Sequence, residues 1–139
     1  FLCLFLGDLC TRMNTEKMYY TRHTEISLIA ENLIKIVFIK DGELDLSEAK
    51  EMHNIALELS KGKPYVVLVL SSKFHTLVTK SARSYLANIK DRLAEAIVVE
   101  SLPNRIMARF YLKLTRLNPI EIFKTEEDAI AWLKKITAI

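Results

Sequence analysis
An α/β domain with a mixed, mainly parallel sheet, an N-terminal β-hairpin and four helices is the fold this sequence predicts. Three observations predict it. Tyr65–Leu70, YVVLVL, is a run of six apolar residues bounded by Gly62 and Pro64 before and by Ser71 and Ser72 after. Such a run reads as a strand covered on both faces. On either side of it lie stretches with apolar residues at helical spacing, each opened by a capping residue, and strands alternating with helices imply parallel pairing through crossovers. At the front, two alternating segments are separated by a short polar turn, the pattern of a hairpin.

Taken in order, Phe1–Cys10, FLCLFLGDLC, is apolar but far shorter than the roughly 18 residues that suggest a membrane span. No basic segment precedes it, as a secretory signal would have. Met13 begins a stretch that looks like a natural start, so residues 1–12 are expected to be an extension and 13–139 a single domain. Tyr19–Ile29 and Asn32–Lys40 form the hairpin around Ala30-Glu31-Asn32, and Asp41-Gly42 breaks the second strand. Asp45-Leu46-Ser47-Glu48 is a capping-box pattern in which Asp45 accepts from the first turn and Glu48 reaches back. Behind it Ala49, Met52, Ile55, Ala56 and Leu59 share one face, and Lys61-Gly62 ends the helix.

After the central strand comes a loop, Ser71–Val78, and then Thr79 caps a second helix with Ala82, Tyr85, Leu86 and Ile89 inward. Ala94–Val99 is another short buried strand. Ser101 with Leu102-Pro103 starts a third helix, whose apolar face is Ile106, Met107, Phe110, Tyr111 and Leu114, and Asn118-Pro119 stops it. Pro119 marks Ile120–Phe123 as an edge or starting strand. Thr125 caps the last helix, with Glu126, Glu127 and Asp128 at its positive end and Ile130, Leu133 and Ile136 on one face beside Trp132.

Composition narrows the function classes. Half of the 139 residues are hydrophobic and 27% are charged, as in a compact globular chain. A net charge of +3 is too small to argue for nucleic acid, aromatic residues do not interleave with the basic ones, and no nucleic-acid partner is expected. Cys3 and Cys10 make neither a disulfide framework nor a metal cluster, and a reducing, cytoplasmic setting is expected. The sequence holds neither HExxH nor CxxC, no G-x-S-x-G elbow, and only Gly7, Gly42 and Gly62, too few for a phosphate-cradling loop. No cofactor or metal is expected.

The element order and three stretches resemble the STAS (SpoIIAA-like, anti-sigma-factor-antagonist-like) family of bacterial proteins. The stretches are LDLSEAKEM at Leu44–Met52, YVVLVLSS running into a loop and a capped helix, and FKTEEDAIAWLKK at Phe123–Lys135. The resemblance covers about residues 19–137. It implies a non-enzymatic domain that acts by binding other proteins or small ligands. Regulatory members carry a D-S-[ST]-G-like segment whose serine is phosphorylated. Here Val78-Thr79-Lys80-Ser81 stands in its place, so Thr79 and Ser81 are the phosphoacceptor candidates, with valine and serine where the family has its acid and glycine. Capping alone also accounts for Thr79.

Ligands of open α/β sheets collect at the carboxyl ends of strands, which makes Ser71, Ser72, His75 and Thr79 candidates for partner binding. A Ser–His nucleophile would need an acid to orient His75, and none lies between Glu58 and Asp91. His53 reads as a surface histidine. Arg105, Arg109, Lys113 and Arg116 recur at helical spacing on the third helix. Residues 61–92 hold seven basic residues against Asp91, while 41–60 hold six acids against Lys50. The segregation suits steering toward a charged partner, although charge runs of this kind more often mark an ordinary solvated face. The reading is a STAS-like interaction domain that binds another protein through Ser71, Ser72, His75, Thr79, Arg105, Arg109 and Lys113, with weak homodimerisation allowed. The alternative is a carrier or sensor of a lipid-like or anionic metabolite.

Overall fold
The computed structural model describes residues 17–71, 76–111 and 118–137, with 107–111 as backbone. The described elements are β1 (Tyr19–Tyr20), β2 (Thr24–Ala30), β3 (Leu33–Phe38), β4 (Gly42–Leu44), α1 (Leu46–Leu59), β5 (Tyr65–Leu70), β6 (Thr76–Val78), α2 (Lys80–Ala87), β7 (Arg92–Val98), α3 (Leu102–Tyr111), β8 (Ile120–Phe123) and α4 (Glu126–Thr137). Six strands form one sheet in the order β1-β2-β3-β5-β7-β8. β1, β2 and β3 pair antiparallel, whereas β3, β5, β7 and β8 run parallel.

β5 lies between β3 and β7, and its residues Tyr65–Val69 are buried. Their alternation splits the interior in two. Tyr65, Val67 and Val69 meet Ile26, Ile34 and Ile36 beneath Ala49, Met52 and Ala56 of α1 and Ala82 of α2. Val66 and Leu68 join Leu33, Ala94, Ala96 and Val98 beneath Ala129 and Leu133 of α4. Two crossovers stepping the same way across the sheet set α1 and α2 on one face, and α4 covers the other. Alanines at Ala94, Ala96 and Ala129 let that helix approach the sheet closely.

The ends of elements follow local chemistry. The hairpin turns at Asn32, which takes φ 59°, a conformation asparagine tolerates better than most residues. α1 closes on Lys61 and Gly62 at φ 56° and 76°, with the Gly62 N–H donating to the Leu57 carbonyl at 2.9 Å. Asp128 N–H donates to Thr125 Oγ1 at 3.2 Å, capping α4 as predicted. β8 lies at the sheet edge, as Pro119 implied.

Three expectations are corrected. Tyr19–Ile29 is two strands, because the chain turns at Thr21–His23, where the Thr21 N–H donates to the Thr24 carbonyl at 2.9 Å. The residues after Asp41 and the last three of the Ser71–Val78 loop are also strands. β4 and β6 pair in parallel as a two-stranded sheet of their own, joining segments 34 residues apart. Ile106, expected on an inner face, is 51% exposed. The expectations for Phe1–Cys10, Leu114 and Arg116 lie outside the described residues, as do the side chains of Met107, Phe110 and Tyr111.

Candidate functional site
The carboxyl ends of the parallel strands are built by the small sheet and the starts of two helices. β6 is held from below: Thr76 Oγ1 donates to the Lys40 carbonyl at 2.7 Å, and the Thr79 N–H donates to the Leu44 carbonyl at 3.0 Å. Alternation then decides the facing. Leu44 is fully buried and Val78 packs on the core, whereas Glu43 and Leu77, paired across the two strands, face out. Leu77 is 59% exposed. At the end of β7, Ser101 caps α3 and leaves Leu102 and Ile106 exposed on its first turns, Leu102 at 59%. Three large aliphatic side chains thus face outward from elements that follow the same ends of β5 and β7.

The predicted residues behave differently from one another. Thr79 is the N-cap of α2, its hydroxyl accepting from the Ala82 N–H at 3.2 Å, and Ser81 is exposed with its hydroxyl 3.3 Å from that of Thr79. We expect Thr79→Ala to cost about 1 kcal/mol in urea unfolding and Thr79→Ser to restore most of it, since only the oxygen is needed. Ser71 is half-buried and its N–H donates to the Val98 carbonyl at 3.2 Å. Arg105 is drawn inward: Nη1 donates to the carbonyls of Val99 at 3.0 Å and Glu100 at 2.6 Å, which finishes the end of β7. Ser72, His75 and Lys113 lie outside the described residues, as does the side chain of Arg109.

The charge segregation contracts in three dimensions. Arg92, counted among the basic residues of 61–92, is buried and paired with Glu95, Nη2 to Oε1 at 2.5 Å. The acidic α1 packs directly against the basic α2, so the opposite charges are neighbours in one layer.

Two polar arrangements escaped the sequence reading. Glu48 does not reach back to close the capping box. Asp45 Oδ1 accepts from the Glu48 N–H at 2.9 Å, but the Glu48 carboxylate turns to the start of β2. There Oε2 accepts from the Thr21 hydroxyl and the His23 N–H, both at 2.7 Å, and Oε1 meets His23 Nδ1 at 2.7 Å. The Thr24 hydroxyl bonds to that of Thr21. All four residues are buried. The carboxylate bonds to hydroxyl, backbone N–H and imidazole together, and this buried set ties the turn before β2 to α1.

The second lies between α1 and α2. His53 Nδ1 and the Tyr85 hydroxyl are 2.8 Å apart, the rings meet edge to face, and Lys50 Nζ sits 6.0 Å from the Tyr85 ring centre. Burial, then the Arg92 charge, holds the His53 imidazole below its ordinary value against the opposing pull of Asp91. Among the described residues no cluster of three or more His, Cys, Asp or Glu side chains is placed to hold a metal ion. No described helix is long and apolar enough to cross a membrane.

Residues 27–137 match the family described as Domain of unknown function (DUF7793). The chain belongs to this family. The DUF7793 chain is also similar to a crystal structure of an uncharacterized protein of the DUF3478 family with a SpoIIAA-like fold from Shewanella loihica PV-4. Identity is 16%, the match covers 84% of this chain and 99% of the other, and the TM-score is 0.56. The fold of this DUF7793 member is therefore SpoIIAA-like, as the sequence cues implied. No curated protein matches the chain.

Proposed function
We propose that this DUF7793 member is a non-catalytic, STAS-like protein-interaction domain that grips its partner at the carboxyl ends of its parallel strands. One observation carries the reading: Leu77, Leu102 and Ile106 are each more than half exposed on elements leaving the same end of the sheet. Exposed aliphatic side chains on a rigid frame supply affinity, and the surrounding charges set orientation and rate. Lys80, exposed at the start of α2, is the described cation nearest in sequence to Leu77 and Thr79. Arg105 contributes by fixing the end of β7. Ser71, Ser72, His75, Arg109 and Lys113 belong to the same proposed surface by sequence position. Phosphate added to the exposed Ser81 or to Thr79 would place negative charge in the first turn of α2, where the helix tolerates it and a partner would feel it. The domain is read as cytoplasmic.

The test is affinity capture from a lysate of the source organism, followed by binding measurements with the purified pair. Wild type should recover one specific protein, and Leu77→Asp with Ile106→Glu should weaken that pair by at least about tenfold, or about 1.4 kcal/mol. Both side chains are exposed, so circular dichroism should be unchanged. A partner held equally by wild type and the double variant refutes this surface.

A further inference from the structure
At the opposite end of the sheet, where β5 and β7 begin, α1 and α2 leave an open concavity of about 470 Å³. His53, Ser84, Tyr85, Asn88, Ile89, Lys90 and Asp91 line it. Its size suits a small organic molecule, and its lining joins the apolar Ile89 and Tyr85 ring to polar groups that can donate. When the Tyr85 hydroxyl donates to His53 Nδ1, the neutral ring carries its hydrogen on Nε2, which becomes a donor held in one orientation. Lys90 is exposed at the rim and Lys50 stands over the Tyr85 ring. The Tyr65 hydroxyl and Arg92 Nε are buried with no hydrogen-bonding partner among the described residues, the Arg92 guanidinium being paired through Nη2 with Glu95. The electrostatic neighbours of Tyr65 include Asp91 and Tyr85, both of which line the concavity. The cationic groups at the concavity itself are Lys90 at its rim and Lys50 over the Tyr85 ring. Asp91 is the opposing carboxylate of the lining.

We infer that this concavity binds a small organic anion, its carboxylate or phosphoryl group held by His53 Nε2 and Lys90 and its planar body lying against Tyr85. The site is separate from the proposed partner surface and stands independently of it.

Benzoate, phenyl phosphate and inorganic phosphate are titrated into the protein at constant ionic strength and followed by NMR of the backbone amides and the His53 and Tyr85 rings. Saturable shifts confined to His53, Tyr85 and residues 88–91 are expected with benzoate or phenyl phosphate, with Kd about 1 mM or tighter. Preference between the two identifies the oxyanion. Lys90→Glu should weaken binding about tenfold, whereas Lys63→Glu, an equal charge change at an exposed lysine outside the lining, should leave it unchanged. His53→Ala should abolish the shifts at Tyr85. No saturable shift with any of the three probes, or equal loss from Lys63→Glu and Lys90→Glu, overturns the assignment.

Discussion

Glu48→Ala is expected to lower stability by about 3 kcal/mol and the melting temperature by about 10 °C. On local grounds alone the change looks harmless, since alanine is the best helix former and Glu48 lies in the first turn of α1. The effect comes from three donors. The Thr21 hydroxyl, the His23 N–H and His23 Nδ1 all direct their hydrogen bonds to one carboxylate. Glu48 and His23 are 6% and 4% exposed, so water does not replace the lost acceptor. His23→Ala alone removes part of the same set. The double variant should therefore cost less than the sum of the two singles by more than about 1 kcal/mol. Chemical denaturation of the four proteins measures this directly. Additivity, or a Glu48→Ala loss below about 0.5 kcal/mol, which is usual for surface changes, would refute the idea that the network ties the sheet to α1.

Gly42→Ala should cost about 2 to 3 kcal/mol, from two sources that mutagenesis separates. Gly42 sits at φ +142°, where side chains are strained, and a Cβ built there falls 2.5 Å from His23 Nε2. The ring has little room to retreat, because its Nδ1 and its own backbone N–H are both held by Glu48. In a His23→Ala background the clash disappears and only the backbone strain remains, about 1 kcal/mol. Urea titrations of the single and double variants give the coupling. Equal losses in both backgrounds would show that the imidazole does not press on Gly42.

The two experiments address one joint. His23 is clamped by Glu48 on one side and abuts Gly42 on the other, and Gly42 opens β4, the partner of β6. β6 carries Leu77. The buried network therefore sets the rigidity of the frame on which the proposed partner surface stands, and preorganisation of that kind cuts the entropic cost of binding.

What could be read from the chain and what could not divide along a physical line. YVVLVL is apolar without interruption, and a stretch like that has one stable place, between two covered layers. Asp45, Thr79 and Thr125 announce helix starts, and all three accept a hydrogen bond from the N–H three residues on. Glu48 shows the limit. The pattern D-x-x-E suggests a local partner for its carboxylate, yet Thr21 and His23 lie 27 and 25 residues earlier and outcompete it. Arg105 likewise looks like a surface cation in helical register, and its fork closes on two carbonyls of its own chain. His53 and Tyr85, 32 residues apart, carry no signal of their meeting.

The amino-acid order alone determined the strands and helices that periodicity and capping define, the central place of Tyr65–Leu70, and the SpoIIAA-like arrangement that follows from alternating them. Those features depend on neighbours a few residues away, whose preferences every chain of this pattern shares. Tertiary structure decided which polar groups are spent inside and which aliphatic ones are left outside: Glu48 on His23, Arg105 on its strand end, Leu77 facing solvent. Such choices are made by groups that meet only once the sheet has closed, where a buried donor must find an acceptor wherever in the chain it happens to lie.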